Sequence, residues 1–407
     1  MLNVRKIAVF TGNRAEYGLQ YPVLKALDEH PDLDYQLIVS GAHLDGDFGN
    51  TLDEIKNDGF HIDAEVKIHF DMDSKISTAQ AIGSGILSIS EALSRLKPDI
   101  FVVYADRFEG FAAVIAATQM NIPTAHIEGG DLTEGGALDD SVRHAMSKLS
   151  HLHFATNKQA TQRLLGMGEE AWRIHTVGLP SNDLVADGEH ANSNFVATRL
   201  DLDLNKPIVL FTQHSITTEF EKSLEQVLPS LEALKSMAKA GVQVIVTYPN
   251  NDAGGRTIIE ALKSLDAESI LGIQVHNSLG RYLYHGILGL AVDPSKKIVC
   301  VGNSSSGIKE SPIFGCPTVN IGSRQQGRLR GDNVIDVAYN QAEIVNAINK
   351  CLYDAQFRSE CQDTDNPYHI GMAGKAIVEV LANVELGQKI IRKGMTLLGE
   401  SKDGWHR

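Results

Sequence analysis

Short apolar runs that end on polar, glycine-containing loops recur along the chain, and segments with helical periodicity separate them. In the first half this pattern predicts strands at residues 6–10, 35–40, 100–104, 123–127, 151–155 and 174–177, with helices at 21–29, 111–120 and 158–165. In the second half it predicts strands at residues 207–212, 242–247, 273–276, 297–301 and 318–321, with helices at 220–240 and 256–265. Strand, helix and strand joined by short connections are typical of parallel βαβ units. The pattern therefore predicts an α/β fold.

The alternation of strands and helices runs twice, with a polar segment at residues 181–205 between the two series. A chain of 407 residues is too long for one ordinary hydrophobic core. Polar segments rich in Asn, Asp, Ser and Gly mark loops and domain junctions. We therefore expect one α/β domain in residues 1–182 and a second in residues 205–370.

Acidic residues follow two neighbouring predicted strands of the first domain. Asp106 comes directly after the apolar run 100–104 and its following alanine, and Glu128 comes directly after the run 123–127. In parallel sheets ligands bind beyond the carboxyl ends of the strands, so these two acids are candidate catalytic residues. Asp139 begins another predicted helix that carries Arg143, which adds an acid and a base to the same region. An aspartate at a helix start also serves as an N-terminal cap, and this alternative stays open for Asp139.

Other strand-end loops carry candidate groups for binding an anion. Arg14 lies in the loop after the first strand and has the planar, forked cation that suits phosphate or carboxylate. His43 lies in a second such loop and is a weaker candidate. In the second half a Gly-Ser loop, residues 302–307, opens a predicted helix and offers unpaired backbone N–H groups to an anion. The loop 323–330 contains three arginines, of which Arg324 is the first.

Three better-known site types do not fit these loops. The first loop does not have the GxGxxG pattern, so dinucleotide binding is not predicted. Gly307 is followed by Ile308 and Lys309 rather than by Lys and Ser or Thr, which argues against a P-loop NTPase. His151 and His153 share one face of their strand, but no third ligand follows at a suitable spacing, so we predict no metal site.

Composition limits the classes of partner and compartment. A formal net charge of -14 argues against nucleic acid or an anionic membrane surface as the main partner. The four cysteines form no CxxC pair, which favours a reducing cytoplasm with free thiols. No apolar run approaches the ~18 residues of a membrane span, and an apolar strand begins almost at the N-terminus. We therefore expect a cytoplasmic protein with neither membrane segment nor signal peptide.

Six motifs together resemble the hydrolysing UDP-N-acetylglucosamine 2-epimerases of bacterial sialic acid pathways and the epimerase half of the animal bifunctional enzyme. These motifs are GNRAE at 12–16, ADRFE at 105–109, HIEGG at 126–130, DDSVRH at 139–144, TQH at 212–214 and GNSSSGIKE at 302–310. They occur in the family's order and cover nearly the whole chain. Asn13 stands where the family usually has Thr, and Ala105 stands where relatives often carry Gly before the Asp.

The resemblance implies two Rossmann-like domains of the GT-B type with the active site in the interdomain cleft. It also implies that residues 371–407, helix-prone at 373–389, cross back onto the first domain. It implies a reaction without nicotinamide or other cofactor, in which UDP leaves C1 as C2 loses its proton and water then adds to 2-acetamidoglucal. The products are N-acetylmannosamine and UDP, for sialic acid, capsule or lipopolysaccharide biosynthesis. Family members are commonly dimers or tetramers, so a homo-oligomer is expected.

The resemblance also implies roles for the candidate residues. Asp106, Glu128 and Asp139 are the acid, base and charge-stabilising groups, in an order that is left open. His214 reaches the diphosphate or the leaving oxygen, and Arg143 supports phosphate or sugar. The residues expected to bind UDP or the sugar are Arg14, His43, Ser304, Ser305, Ser306, Gly307, Glu310 and Arg324.

Three alternatives stay open. The same chemistry on a UDP-2,4-diacetamido-2,4,6-trideoxyhexose, on the way to legionaminic acid, would use the same motifs. A GT-B glycosyltransferase would use the same nucleotide loops but would need an acceptor. A sensor that binds UDP-sugar without turnover is disfavoured, because several acids around an anionic ligand weaken its binding.

Overall fold

The structure is a computed structural model that describes residues 4–44, 51–68, 75–133, 138–249 and 254–397. Within these ranges, the side chains of residues 14, 15, 42, 51, 75 and 217 are not described. The described chain divides into two compact units. The first unit comprises residues 4–132, 138–183 and 369–397, and the second comprises residue 133 and residues 184–368.

The first unit is built on a parallel sheet. Its strands are β1 Arg5–Thr11, β2 Leu33–Ser40, β3 Ala64–Val66, β4 Ile100–Tyr104, β5 Thr124–Ile127, β6 Leu152–Ala155 and β7 Ile174–Thr176. Their order in the sheet is β3-β2-β1-β4-β5-β6-β7. The helices are α1 Arg14–Asp28, α2 Thr51–Asn57, α3 Lys75–Leu96, α4 Phe108–Gln119, α5 Leu138–Leu149, α6 Lys158–Gly166 and α7 Ser181–Ala186. Strands β4, β5 and β6, which lie inside the sheet, are buried throughout, because helices cover both faces of such a sheet.

The second unit repeats the architecture with a parallel sheet of its own. Its strands are β8 Ile208–Thr212, β9 Gln243–Thr247, β10 Ile273–His276, β11 Ile298–Gly302, β12 Thr318–Ile321 and β13 Val334–Val337. Their order is β10-β9-β8-β11-β12-β13. The helices are α8 Ser193–Leu200, α9 Ser223–Lys239, α10 Gly255–Ala267, α11 Gly280–Gly289, α12 Ser306–Lys309, α13 Gln341–Tyr353 and α14 Ala355–Gln362.

The C-terminal segment contains two further helices, α15 Ala373–Asn383 and α16 Gln388–Ile391, and belongs to the first unit. Helix α15 packs against α1 and shares its core, where Ile377 and Leu381 are fully buried. The Asp183 carboxylate accepts hydrogen bonds from the backbone N–H groups of Ala373 and Gly374, at 2.8 and 2.7 Å. These two bonds satisfy donors that the first turn of α15 would otherwise leave unpaired.

Several observed elements differ from the prediction. Helix α1 begins at residue 14 rather than 21, because the Asn13 side chain accepts a hydrogen bond from the backbone N–H of Glu16 and caps the helix. The predicted helix at 373–389 is two helices, α15 and α16, separated where Gly387 takes a positive φ of 117°. The predicted polar junction contains the short helices α7 and α8, and the predicted helix at 220–240 begins only at Ser223, after a 3-10 turn.

The predicted fold of two Rossmann-like α/β units is confirmed. In each unit the described strands are parallel, so their carboxyl ends lie along one edge of the sheet. In the described ranges, no helix combines the length and apolar character that crossing a membrane requires.

Candidate functional site

The structure brings Asp106 and Arg143 together at the carboxyl end of β4. Asp106 follows that strand, and Arg143 lies in the second turn of α5, where its side chain is only 2% exposed. The Arg143 guanidinium donates to the Asp106 carboxylate and forms an ion pair. A buried guanidinium needs such a partner, so the pair joins the start of α5 to the end of β4. The sequence predicted both residues but not their contact.

Glu128 lies at the end of the neighbouring strand β5 and is buried at 4% exposure. The fully buried Tyr104, the last residue of β4, is close to it. Burial raises the pKa of the Tyr104 hydroxyl well above its ordinary value, and the Glu128 carboxylate adds to this effect. Asp131, three residues beyond Glu128, is buried as well. Three buried polar residues, one of them a tyrosine whose pKa is strongly raised, therefore lie at the ends of two adjacent strands, a combination typical of active sites.

The backbone is strained at both strand ends that carry an acid. Ala105, just before Asp106, has a φ of 55°, and Glu128 has a φ of 65°. Residues other than glycine rarely take this left-handed conformation, and it occurs often at active sites.

A buried histidine fixes the strained turn at Ala105. The Nε2 atom of His126 lies 2.7 Å from the Ala105 carbonyl oxygen, and Nδ1 lies 3.0 Å from the Ser147 hydroxyl of α5. Burial lowers the pKa of His126 to about 3, so the imidazole is neutral at neutral pH. His126 therefore acts as a structural link between the end of β4 and α5.

The two acids at the start of α5 differ in exposure. Asp139 is exposed, whereas Asp140 is 4% exposed. Asp139, which the sequence predicts as a catalytic residue, is accessible to a ligand. Its catalytic role stays a prediction. His144 on the same helix is half-buried, and burial lowers its pKa.

A pair of buried carboxyl groups, Glu16 and Glu109, was not predicted. Both contact Gly12 at the end of β1, where an added Cβ atom would lie 3.0 Å from Glu109 Cβ and 3.3 Å from Glu16 Oε2. The Gly12 N–H donates to Glu16 Oε2 at 2.8 Å. Burial raises the pKa of Glu16 to about 7, with the Glu109 carboxylate as the next cause, and burial also raises the pKa of Glu109. The sequence signal that could have identified them is their place in the motifs: Glu16 lies in the motif 12–16, and Glu109 lies in the motif 105–109.

Arg14 and His43 are the two residues of the first unit that the sequence predicts to bind substrate. The Arg14 side chain lies outside the described part of the structure, although the residue begins α1. His43 is buried, its Nε2 lies 3.0 Å from the Thr11 hydroxyl, and burial lowers its pKa to about 4. This environment suits a neutral histidine that supports the end of β1. A role of His43 in substrate binding stays a prediction.

His214 lies at the end of β8 in the second unit and is fixed through its backbone by Asn303. The His214 N–H donates to Asn303 Oδ1 at 2.6 Å, and Asn303 Nδ2 donates to the His214 carbonyl at 2.9 Å. Burial lowers the pKa of His214 well below its ordinary value, and the Arg324 guanidinium lowers it further. His214 is therefore neutral at neutral pH and can donate a hydrogen bond without carrying charge.

The Asn303 carbonyl connects this histidine to the arginine-containing loop. It accepts hydrogen bonds from Arg324 Nη1 at 3.1 Å and from Gln325 Nε2 at 2.8 Å. The other two arginines of the loop have partners within the chain: Arg328 donates to the Gln325 side chain, and Arg330 pairs with Asp336. Arg324 therefore lies near His214, as expected for an anion site.

The Gly-Ser loop after β11 is present, and a short helix follows it. Helix α12 is one turn, and a 3-10 turn at Ser311–Phe314 follows it. Gly302 is required at the end of β11, because its φ is 125° and a Cβ atom would lie 1.9 Å from the Thr212 carbonyl oxygen. The predicted serines of the loop are partly exposed, and Gly307 is buried; these residues are Ser304, Ser305, Ser306 and Gly307.

Glu310, the predicted ribose acceptor, follows α12 and is held by a histidine. His285 of α11 is buried, and its Nε2 lies 3.2 Å from Glu310 Oε2. The histidine contact fixes the position of this carboxylate, whose oxygens are hydrogen-bond acceptors when it is ionised. Neither His285 nor Asn303 was predicted as a site residue; Asn303 lies within the quoted 302–310 motif, while no motif contained His285.

His151, just before β6, and His153 within it both have hydrogen-bond partners in the first unit. His153 Nε2 lies 2.9 Å from Glu169 Oε2, and His151 Nδ1 accepts a hydrogen bond from the Thr124 N–H at 3.0 Å. The residues that the structure describes contain no group of three or more His, Cys, Asp or Glu arranged to hold a metal ion.

Comparison with known proteins identifies the family. The family model described as UDP-N-acetylglucosamine 2-epimerase matches residues 25–382. A UDP-N,N'-diacetylbacillosamine 2-epimerase (hydrolyzing) of Legionella pneumophila is 34% identical over 96% of this chain and 99% of its own length. A UDP-N-acetylglucosamine 2-epimerase of Neisseria meningitidis serogroup B is 31% identical over 94% of this chain and 96% of its own length.

The fold has solved counterparts. A crystal structure of UDP-GlcNAc 2-epimerase from Neisseria meningitidis bound to UDP-GlcNAc matches with a TM-score of 0.77, over 93% of this chain and 99% of that one. Its sequence identity is 21%, so this likeness supports the GT-B type of fold alone. The family model and the two sequence relatives carry the assignment: this chain belongs to the UDP-N-acetylglucosamine 2-epimerase family.

Proposed function

We propose that this protein is a hydrolysing 2-epimerase that converts UDP-N-acetylglucosamine and water to N-acetylmannosamine and UDP. The observation that carries the proposal is the placement of Asp106 and Glu128, in a member of this family, at the strained ends of two adjacent parallel strands. Arg143 balances the charge of Asp106 through their ion pair. Carboxylates in such an environment suit proton transfer and the stabilisation of developing positive charge.

The first step is an elimination across C1 and C2 of the sugar. A carboxylate removes the C2 proton while the C1–O bond to UDP breaks, and the electron pair of the C2–H bond forms the double bond of 2-acetamidoglucal. No carbonyl group lies next to C2, so departure of UDP must assist the loss of the proton. The candidates for the base are Asp106, Glu128 and Asp139.

The second step is addition of water across that double bond. The oxygen of water bonds to C1, and C2 receives a proton on the face opposite to the one it lost. The configuration at C2 is thereby inverted, and the free sugar is released. The two carboxylic functions must exchange roles between the steps, one as base and the other as acid.

The second unit would bind the leaving UDP. Arg324 and the N–H groups of the loop containing Ser304 and Ser305 would contact the diphosphate, and Glu310 would accept from ribose hydroxyls. Neutral His214 would donate a hydrogen bond to the leaving oxygen or the diphosphate. A neutral donor strengthens its bond as negative charge develops on that oxygen, which favours the transition state.

A second candidate substrate is a UDP-2,4-diacetamido-2,4,6-trideoxyhexose. The Legionella relative, named for UDP-N,N'-diacetylbacillosamine, supports it, and the Neisseria relative supports UDP-N-acetylglucosamine. The two sugars differ at C4 and C6, whereas the proposed chemistry takes place at C1 and C2.

Proton NMR of the protein in D2O with UDP-N-acetylglucosamine tests the proposal. Release of UDP with N-acetylmannosamine deuterated at C2 is the expected result. UDP-N-acetylmannosamine as the product would refute hydrolysis, and hydrogen retained at C2 would refute the elimination route. If only the diacetamido sugar reacts, the second substrate replaces the first. If both are inert and UDP is released only when an acceptor is added, the protein is a glycosyltransferase instead.

A further inference from the structure

A lysine from the C-terminal segment caps the end of α5, the helix that carries Asp139 and Arg143. Lys393 Nζ donates to the carbonyl oxygens of Ser147 at 3.2 Å, Lys148 at 2.7 Å and Ser150 at 2.6 Å. The last carbonyl groups of a helix have no partner within it, and they carry partial negative charge. A cation from a distant part of the chain therefore satisfies the C-terminal end of this helix.

A buried carboxylate holds the ammonium group in place. Glu169 is fully buried, and its Oε2 lies 2.7 Å from Lys393 Nζ and 2.9 Å from His153 Nε2. Its Oε1 accepts from Lys148 Nζ at 2.6 Å. Burial alone would raise the pKa of Glu169, but the hydrogen bond from His153 and the lysines lower it to about 2. The carboxylate is therefore ionised throughout the neutral range and fixes both lysines.

Contacts other than Lys393 attach the C-terminal segment to the first unit. Arg173 donates to three of its carbonyl groups, those of Lys389 at 3.1 Å, Ile390 at 2.7 Å and Arg392 at 2.8 Å. The Thr396 N–H donates to a carbonyl of the loop after α6, at 2.8 Å. Loss of the Lys393 ammonium therefore leaves the segment in place.

Contacts continue from this cap to the candidate active site. The Ser147 carbonyl accepts from Lys393, and the Ser147 hydroxyl oxygen lies 3.0 Å from both the Arg143 carbonyl oxygen and His126 Nδ1. His126 in turn contacts the strained Ala105 before Asp106. A shift of α5 along its axis would therefore change the position of both members of the Asp106–Arg143 pair.

We propose that Lys393 is a positioning residue for the reaction, which holds α5 so that Arg143 and Asp139 keep their places relative to Asp106. The inference rests on the proposed function for its kinetic consequence. Lys393 touches neither substrate nor reacting atoms in this scheme. It acts through the helix, and its removal should lower kcat without weakening the binding of UDP.

The pH dependence separates this role from a contribution to folding alone. Burial lowers the pKa of Lys393 to about 8 despite the opposing effect of Glu169, with Lys148 and Arg173 contributing in the same direction as burial. His126, His151 and His153 are the other titratable groups coupled to it, and each is neutral near pH 8 because burial lowers its pKa to about 4 or below. As the pH rises through 8, Lys393 loses its charge, the cap weakens and kcat should fall.

Over the same range, the contribution of Lys393 to folding stability should rise. The unfolded lysine keeps its proton up to its ordinary value of 10.5, so between pH 8 and 10.5 the unfolded chain binds more protons than the folded one. Stability increases with pH wherever the unfolded state binds more protons. The expected signature is therefore a falling kcat with a rising stability contribution.

The test compares Lys393→Met, Lys393→Arg and the control Lys389→Met with the wild type. Lys389 lies on the same segment with an exposed side chain. Lys393→Met should lower kcat about tenfold, the effect of losing about 1.4 kcal/mol of transition-state stabilisation, with KM and the Kd of UDP within a factor of about two. Lys393→Arg should keep most of the activity and should not lose it at about pH 9, because arginine stays charged. The control should match the wild type.

Two kinetic outcomes would overturn the inference. One is wild-type kcat in Lys393→Met, and the other is an identical alkaline decline in the wild type and Lys393→Arg. The second comparison decides the matter if Lys393→Met does not fold. Hydrogen exchange of the α5 amides separates failure of the inference from failure of the proposed function, because it needs no substrate. Exchange at residues 144–149 should be faster in Lys393→Met than in Lys389→Met, and equal exchange would refute the cap even in a protein inert towards UDP-sugars.

Discussion

The buried carboxyl pair at the end of β1 makes a quantitative prediction about stability. Glu16 accepts from the Gly12 N–H, and its other oxygen, Oε1, is buried without a hydrogen-bond partner among the described residues. Burial and the neighbouring Glu109 raise the pKa of Glu16 from 4.5 to about 7. The folded protein therefore binds this proton more tightly than the unfolded chain does.

The sign and size of the effect follow from linkage. Between pH 4.5 and 7 the folded state holds a proton that the unfolded state has lost, so the stability contributed by Glu16 is fully present below pH 4.5. It is lost as the pH rises through 7. At about 1.4 kcal/mol for each pH unit, the loss is about 3 kcal/mol. Glu16→Gln cannot ionise and keeps an oxygen to accept from the Gly12 N–H, so this loss should be absent.

Urea unfolding at about pH 4.5 and about pH 8, followed by tryptophan fluorescence to which Trp172 of the first unit contributes, measures the difference. The unfolding free energy of Glu16→Gln minus that of the wild type should be about 3 kcal/mol larger at the higher pH than at the lower one. Glu29→Gln, an exposed position just after the same helix, is the control and should follow the wild type. Parallel pH curves for the wild type and Glu16→Gln would refute the account of a buried Glu16 with a raised pKa.

Two further predictions concern the proposed reaction, and a third concerns the stability of the loop after β8. Asp106→Asn and Glu128→Gln should each lower kcat about 100-fold or more, while titration calorimetry still shows UDP binding. Wild-type turnover in either variant would exclude the substituted residue from the mechanism. Ser305→Ala and Glu310→Ala should each weaken UDP binding about tenfold, the effect of one lost hydrogen bond, and an unchanged Kd would contradict their placement. Asn303→Ala leaves two buried backbone groups of the loop after β8 unpaired and should destabilise the protein by about 2–4 kcal/mol, measured by urea unfolding.

The sequence predicts this fold well because buried parallel strands are continuous apolar runs. The predicted strand at 100–104 is β4 without change, and the one at 318–321 is β12. Errors concentrate where a side chain or a glycine sets a boundary: Asn13 starts α1 early, and Gly387 separates α15 from α16. Such boundaries depend on single capping contacts that periodicity does not register.

The candidate site was predictable as a set of residue types but not as a set of contacts. Strand-end position singled out Asp106 and Glu128, because topology alone brings the ends of parallel strands to one edge. The double hydrogen bond from Asn303 to the His214 backbone joins residues far apart in sequence, and nothing local to either residue predicts it. The cap supplied by Lys393 is equally unpredictable from local sequence, because its hydrogen bonds join residues more than 240 positions apart in the chain.

The strained turns show why the candidate reactive residues and their supports lie in different parts of the chain. Ala105 and Glu128 hold left-handed backbone conformations that cost of order 1 kcal/mol each, so surrounding contacts must over-determine them. For Ala105 that contact is the neutral imidazole of His126, which bonds its carbonyl and reaches α5 through Ser147. The motif thus supplies the acid, and a buried hydrogen-bond network fixes the direction in which it points. A glycine at position 105 would remove the local strain but would also loosen the turn, so with alanine there the contact from His126 has to hold a conformation that the residue itself disfavours.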